Sequence, residues 1–163
     1  MGMLLTVLGS GVGGLMTQPT REQLATAHAT HVMRSAGAHT VGAADGGPGL
    51  PGTGWSREHG DLRVPHFLGL HAVQIIPLLA LLVGRRMASA AQRRRAVLVI
   101  AASYAMLFVI LLAQALGGES VVAPGPPTLA ALAAWVTATG AGLVFVLASS
   151  RNGSGARSMR AVI

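Results

Sequence analysis

The sequence predicts an all-α integral membrane protein, a transmembrane helical bundle of about four spans with a long irregular outer loop. Of the 163 residues, 52% are hydrophobic and only 10% are charged, whereas a soluble domain is nearer 25% charged. The apolar residues also stand in long blocks. We expect residues 1–163 to form a single integral membrane domain. Its spans and loop are predicted at about 2–16, 66–84, 96–117 and 129–149, with the outer loop at 17–65.

The composition removes several classes of function. The chain has no cysteine, which excludes disulfides, thiolate metal sites and cysteine nucleophiles. No Gly-x-Ser-x-Gly or His-Glu-x-x-His motif occurs, so the sequence favours a non-catalytic protein over an enzyme. The net charge of +7 does not predict a nucleic-acid partner, because the basic residues cluster beside the predicted spans.

The first apolar segment is shorter than the others. A spanning helix needs ~20 residues, and Met1 to Met16 supplies fewer. It has no basic leading region and no small-residue cleavage site, so it is not interpreted as a signal peptide. Gly9 and Gly13 form a small-xxx-small pair, which lets another helix approach closely. Because the chain starts inside an apolar run, we expect it to be the C-terminal part of a longer protein.

The predicted outer loop contains one helical signal and one turn-rich stretch. Thr20 to Gln23 has the form of a capping box, which predicts a short helix through about Arg34, closed by Gly37. The many Gly and Pro residues of 42–54 predict turns and no regular element.

An aromatic and charged cluster stands between this loop and the second span. Trp55 is followed by Asp61 and Arg63, and such a group just before a hydrophobic segment is typical of an interface anchor. The same two charges can also pair with each other as an exposed ion pair, which would contribute ~0–1 kcal/mol.

The arginines predict the orientation. Every one of the twelve basic residues is Arg; five lie in the loop 85–95 and three in the tail after the last span. Arginine-rich short loops stay in the cytoplasm, so the 17–65 loop lies outside the bacterial cytoplasmic membrane, while the 85–95 loop and the C-terminus lie inside. The outer side then carries −1 and the inner side +8. Besides the lipid bilayer, we expect anionic lipid as a partner of the inner arginines.

Small residues on the last span predict contacts between helices. One face of this span carries two neighbouring lines of small residues: Ala130, Ala134, Thr137 and Ala141, and Ala134, Ala138 and Gly142. Such a stripe is typical of close helix packing in membranes, and it predicts contacts with other membrane helices or self-association.

Five polar side chains lie inside the predicted spans and are the candidate site residues. A polar group in a spanning helix normally faces the bundle or a cavity, and it is a functional candidate by default. His71 and Gln74 share one helix face, whereas His66 is close enough to the interface to be solvated. The complete set is His71, Gln74, His66, Tyr104 and Gln114.

Three interpretations of these residues stay open. They could line a pocket for a substrate, a quinone or a proton path. Alternatively, His71 with His66 or a loop histidine could ligate haem or a transition metal, although His-x4-His is not a common metal spacing. They could also form hydrogen bonds between helices, about 0.6 kcal/mol each. The favoured function is a non-catalytic helical-bundle or ligand-binding membrane protein; the alternative is a membrane redox protein binding haem, metal or quinone near the outer face. No particular cofactor or metal is identified.

Several motifs carry a resemblance to a known group of proteins. They are GGPGLP at 46–51, GWS at 54–56, GDLRVPHF at 60–67 and GLHAVQIIPL at 69–78. Together they resemble a signature of uncharacterised multi-pass integral membrane proteins of GC-rich bacteria. The resemblance implies the multi-pass architecture and a longer N-terminal region, and it implies no activity.

Overall fold

The computed structural model describes residues 1–85, 87 and 89–148, and this part of the chain is mostly helical. The short strands β1 and β2 pair antiparallel, with Thr40 opposite Asp61. Arg86 and the tail arginines of the orientation prediction lie outside the described residues. The elements are α1 (Gly2–Met16), α2 (Arg21–Thr30), β1 (Thr40–Val41), β2 (Gly60–Asp61), α3 (Arg63–Gly84), α4 (Ala90–Leu116) and α5 (Pro126–Ala148).

Three of the described helices are long and apolar enough to cross a membrane. They are α3, α4 and α5, with 22, 27 and 23 residues and mean hydropathies of 2.1, 2.7 and 1.9. The prediction of a mostly helical protein is therefore confirmed, and the described residues contain three candidate spans instead of the four predicted. The remaining predicted span, α1, is a helix of 15 residues, which is shorter than the ~20 residues that a bilayer requires.

The helices stand in the order α1, α3, α4, α5, each packed against the next. The contact between α1 and α3 depends on glycine. A Cβ at Gly9 would lie 2.8 Å from the Cα of Gly69, and a Cβ at Gly13 would lie 2.7 Å from the ring of His66. The predicted small-residue face of α1 is thus the face that packs, and it lets the two backbones approach closely.

The beginning of α4 corrects the predicted boundaries. The 85–95 segment was expected to be a loop, but α4 begins at Ala90, so Arg93 lies in its first turn. Ser89 explains the early start, because its side chain accepts a hydrogen bond from the N–H of Gln92 at 3.1 Å. This bond satisfies one of the unpaired donors of a helix N-terminus.

The beginning of α5 is also earlier than predicted. The helix starts at Pro126, where the ring suits a first helical position. One carboxylate oxygen of Glu119 accepts hydrogen bonds from the N–H of Gly125 at 3.0 Å and the hydroxyl of Thr128 at 2.7 Å. These bonds hold the turn before the helix together.

The predicted irregular loop is partly ordered by α2. The capping box is confirmed: Gln23 N–H donates to the hydroxyl of Thr20 at 3.2 Å, and the Gln23 side chain accepts from Thr20 N–H at 2.9 Å. The helix ends earlier than predicted, at Thr30, because His31 takes the left-handed conformation with φ 56°. Gly37 is not the helix cap; it exchanges two hydrogen bonds with the Gln23 side chain.

The face of α5 that meets α4 contains part of the predicted small-residue pattern. A Cβ at Gly142 would lie 3.1 Å from the Val99 side chain, so the two helices are close there. Trp135 Nε1 donates to the carbonyl and hydroxyl oxygens of Ser103, both at 2.9 Å, and the Ser103 hydroxyl is 2.8 Å from that of Thr139. The other predicted line of small residues is exposed: Ala130, Ala134, Thr137 and Ala141.

Substituting one glycine of α1 tests the helix contact. We expect Gly9→Ala to lower the free energy of unfolding by about 1–3 kcal/mol, because the added methyl group has no space against Gly69. Gly11→Ala adds the same methyl group on the same helix, where nothing lies within 4 Å. Thermal unfolding in detergent measures both. Equal midpoints for the two variants would contradict the packing.

Candidate functional site

Residues 38–62, which we call the cap, cover the end of the bundle where α3 begins and α4 ends. The strand β2 lies against the end of α4, where Gly60 is too close to the backbone of Ala115 and Gly118 for any side chain. At the base of the cap, the N–H of Leu62 donates to the carbonyl of His39 at 2.9 Å. The cap is therefore built onto the helices.

Asp61 is the buried charge on which the cap is built. Its exposed fraction is 2%, and it accepts hydrogen bonds from the N–H of Ser56 at 2.8 Å and of Arg63 at 3.0 Å. The guanidinium of Arg63 adds bonds from Nη2 at 2.7 Å and from Nε at 3.0 Å. The exposed ion pair considered from the sequence is thus a forked, charge-assisted pair with a buried carboxylate.

A chain of hydrogen bonds joins this carboxylate to α4. The Gln114 side chain donates to the carbonyl of Ser120 at 2.8 Å, and the Ser120 hydroxyl donates to the carbonyl of Ser56 at 3.0 Å. Ser56 then donates to Asp61. We call the series Gln114, Ser120, Ser56, Asp61 and Arg63 the tether. It connects the end of α4, the turn before α5, the cap and the start of α3.

His39 lies between two carboxylates of the cap. Its Nδ1 is 3.6 Å from Asp45 Oδ1 and 3.8 Å from Asp61 Oδ1. Asp45 also accepts hydrogen bonds from the N–H of His39 at 3.1 Å and of Thr40 at 2.8 Å. These bonds fold the glycine-rich segment back over the start of β1.

The two carboxylates are held in their ionised form. Burial raises the pKa of Asp61, but hydrogen bonds from the Arg63 side chain and from the N–H groups of Ser56 and Arg63 outweigh it and hold the pKa below the ordinary 3.8. For Asp45, burial also raises the pKa, and hydrogen bonds from Thr40 and His39 lower it below 3.8. Both carboxylates are therefore charged at neutral pH.

A cavity of about 290 Å³, with both apolar and polar lining residues, lies within the cap. Arg63 is part of its wall, and the Nη1 atom of this residue has no hydrogen-bond partner within the described part of the chain, whereas Nε and Nη2 are both engaged. The cavity is lined by His39, Thr40, Ala43, Ala44, Gly46, Gly47, Pro48, Gly54, Ser56, Glu58, His59 and Arg63.

The polar span residues of the sequence prediction have different surroundings and partners. Gln114 belongs to the tether, and Gln74 is exposed on α3. The other three each bond a different backbone carbonyl: His66 to Gly9 at 2.7 Å, His71 to Phe67 at 2.8 Å and Tyr104 to Leu68 at 2.7 Å.

Trp55 and His71 belong to one row of rings along α3. Trp55 meets Phe67 edge-on with ring centroids 6.2 Å apart, and Phe67 stacks on His71 at 3.9 Å. This row of rings extends along α3 from Trp55, the predicted interface anchor. Among residues 1–85, 87 and 89–148, no group of three His, Asp or Glu side chains could hold a metal ion. Haem, metal or quinone binding stays a prediction from the sequence.

The cap residues His39, Asp45, Glu58 and His59 were not among the predicted site residues. The only signal available was the concentration of histidines and carboxylates in the loop, because their approach depends on how the glycine-rich segment folds back. Comparisons of the chain with protein-family models, characterised proteins and solved structures found no match.

The low pKa values of Asp45 and Asp61 predict that the cap opens in acid. Their contribution to stability is complete above the unfolded-state value of ~3.9 and is lost as the pH falls through the lower folded-state values. In a Trp135→Phe background, Trp55 is the only tryptophan. We expect its emission to stay constant from about pH 7 to 5 and to change below about pH 4.

Two variants assign this transition. Asp61→Asn should show the open-cap emission already at neutral pH, because charged hydrogen bonds contribute about 1.5–3 kcal/mol. Glu58→Gln changes an exposed carboxylate of the same loop and should leave the transition unchanged. An acid transition identical in Asp61→Asn and in the parent would contradict the role of Asp61.

Proposed function

We propose that this chain is a non-catalytic integral membrane protein that binds a small polar solute in the cap cavity. The observation that carries the proposal is the free Nη1 of Arg63 in the cavity wall. Asp61 and the carbonyl of Gly54 hold the rest of this guanidinium in place, so the N–H groups of Nη1 are preorganised for a ligand. Guanidinium N–H groups suit carboxylate and phosphate oxygens, and we therefore propose a solute that carries an oxyanion.

The size and composition of the cavity agree with a small ligand. Its volume of about 290 Å³ is at the lower end of the range for small-molecule sites, roughly 300–1,000 Å³. His39 and His59 stand in the same wall as Arg63 and add further donors to it. The tether keeps this wall attached to the helices, which reduces the entropy lost on binding.

The proposed location is the bacterial cytoplasmic membrane, with the cap outside and the loop between α3 and α4 inside. In this arrangement α1 joins α3, α4 and α5 as a fourth membrane-embedded helix. The support is the arginine asymmetry, together with the length of the three candidate spans. The resemblance of residues 46–78 to multi-pass membrane proteins agrees with it.

The absence of cysteine allows a direct test of orientation. Thr53→Cys lies on the exposed surface of the cap and Ala91→Cys lies on the exposed first turn of α4. In intact spheroplasts, a membrane-impermeant thiol reagent should label Thr53→Cys only, and permeabilised cells should label both. Labelling of Ala91→Cys alone in intact spheroplasts would reverse the orientation, and labelling of both would contradict membrane crossing by α3.

Fluorescence of Trp55 tests solute binding. In the Trp135→Phe background, acetate and inorganic phosphate are titrated at constant ionic strength, with choline as the cationic comparison. We expect saturable changes with the oxyanions and none with choline, because the free N–H groups of Nη1 favour negative charge.

A matched pair of variants locates the response. Gly47→Leu fills the cavity, because Gly47 lines it and a Cβ there meets nothing within 4 Å. Thr53→Leu adds a similar side chain to the exposed cap surface outside the cavity. The saturable change should disappear in Gly47→Leu and persist in Thr53→Leu. A response that survives in Gly47→Leu would contradict binding in this cavity.

A further inference from the structure

The opposite end of the bundle holds a cleft between α3 and α4. Its volume is about 510 Å³. Small residues of α3 leave the space: Ala80 and Gly84 have little or no side chain, and Pro77 has only its ring. The cleft is lined by Pro77, Ala80, Leu81, Gly84, Arg85, Arg93 and Val97. Its wall is therefore apolar along the helices and cationic at the rim.

The two arginines of the rim form no ion pair with an Asp or Glu among residues 1–85, 87 and 89–148. The sequence contains no Asp or Glu between Asp61 and Glu119, and none after Glu119. Both of those carboxylates are held at the cap end, by Arg63 and by Thr128. The charges of Arg85 and Arg93 are therefore available to an anion from outside the chain.

The rim is also partly preorganised. Arg93 Nε donates to the carbonyl of Met87 at 3.3 Å, which leaves its two Nη atoms for another acceptor. Met87 is buried, with 4% of its surface exposed. The carbonyl that Arg93 bonds therefore belongs to a residue that is packed in the interior. Gln92, next to Arg93, donates to the carbonyl of Val146 at 3.2 Å and ties the start of α4 to α5.

We propose that this cleft binds one anionic phospholipid of the inner leaflet. The phosphodiester lies at Arg85 and Arg93, and one acyl chain lies along Pro77, Leu81 and Val97. A lipid is the ligand that matches both halves of the cleft, because it places an anionic phosphate directly above hydrocarbon. Arginine binds phosphate oxygens in forked geometry, and basic pockets between spanning helices at the cytoplasmic side bind anionic head groups.

This site is distinct from general attraction between arginines and an anionic surface. Diffuse attraction depends only on the number of charges near the membrane. A bound lipid instead requires the two arginines of the rim and an unfilled cleft. Arg94 and Arg95 provide the comparison, because they are exposed neighbours on α4 that do not line the cleft.

Native mass spectrometry of the full chain in detergent tests the proposal. The protein is titrated with phosphatidylglycerol and with phosphatidylcholine of the same acyl chains. We expect one phosphatidylglycerol to bind in preference to phosphatidylcholine. Arg85→Gln/Arg93→Gln should weaken its binding by roughly 30-fold, which corresponds to ~1 kcal/mol per arginine. The matched pair Arg94→Gln/Arg95→Gln should retain most of the affinity.

Ala80→Leu tests the apolar half without changing any charge. It places a larger side chain in the cleft and should lower the affinity for phosphatidylglycerol. Equal losses in the two arginine pairs, or no loss in Ala80→Leu, would overturn the proposal in favour of diffuse attraction. Displacement of the lipid by millimolar inorganic phosphate would overturn it in favour of a simple anion site.

The inference uses the proposed membrane location but not the solute in the cap. A chain that is released from membranes without detergent would contradict the membrane location itself. A detergent-dependent chain that shows no lipid preference would contradict only the cleft. Extraction of the protein from membranes with and without detergent therefore distinguishes failure of the membrane location from failure of the lipid site.

Discussion

The burial of the Asp61 carboxylate is the constraint on which the cap depends. An ionised group with 2% exposure is stable only when hydrogen bonds replace its water. Four donor groups from Ser56 and Arg63 do so, and each fixes a segment of chain: the Ser56 turn and the start of α3. Because Ser56 is also held by Ser120 and thereby by Gln114, the solvation of one charge organises the whole cap end.

Between the helices, close packing and single hydrogen bonds accompany a cluster of buried apolar side chains. For helices that lie in lipid, burial of apolar surface does not drive association, because lipid is as apolar as the side chains. The Gly9–Gly69 contact brings α1 against α3, and the Tyr104 hydroxyl bonds the Leu68 carbonyl between α4 and α3. The Ser103–Trp135 contact joins α4 to α5. These few contacts set the order of the helices.

The two ends of the bundle are chemically opposite, which follows from where the charges stand. At the cap end, Asp61 and Arg63 neutralise each other, and only the Nη1 group of Arg63 has no partner among the described residues. At the other end, Arg85 and Arg93 form no ion pair with an Asp or Glu of the described residues. The cap end therefore satisfies its buried charge internally, whereas the arginines at the other end stay unpaired within the part of the chain that the structure describes.

Local signals in the sequence predicted the helices and several of their ends. The capping box at Thr20 acts within four residues, and the apolar length of α3, α4 and α5 depends on composition alone. Both features could therefore be predicted from the sequence without knowledge of the tertiary structure. The start of α4 was missed because Ser89 was not recognised as its cap. The small residues of α5 indicated only part of its contact face: Gly142 lies against Val99, but the hydrogen bonds of Trp135 to Ser103 have no signal in a small-residue pattern.

The sequence by itself determined that the chain is helical, that it contains helices long and apolar enough to cross a membrane and that its carboxylates and arginines are segregated along the chain. These properties depend on residue type and on short spacings. Only the tertiary structure decided that His39 meets Asp45 and Asp61, that Gln114 joins the cap rather than a pocket with His71, and that the α3–α4 cleft is open. The reason is physical: these contacts depend on how separate segments of the chain fold against each other. Several of the partners are backbone groups, which are the same for every type of residue and therefore give no sequence signal.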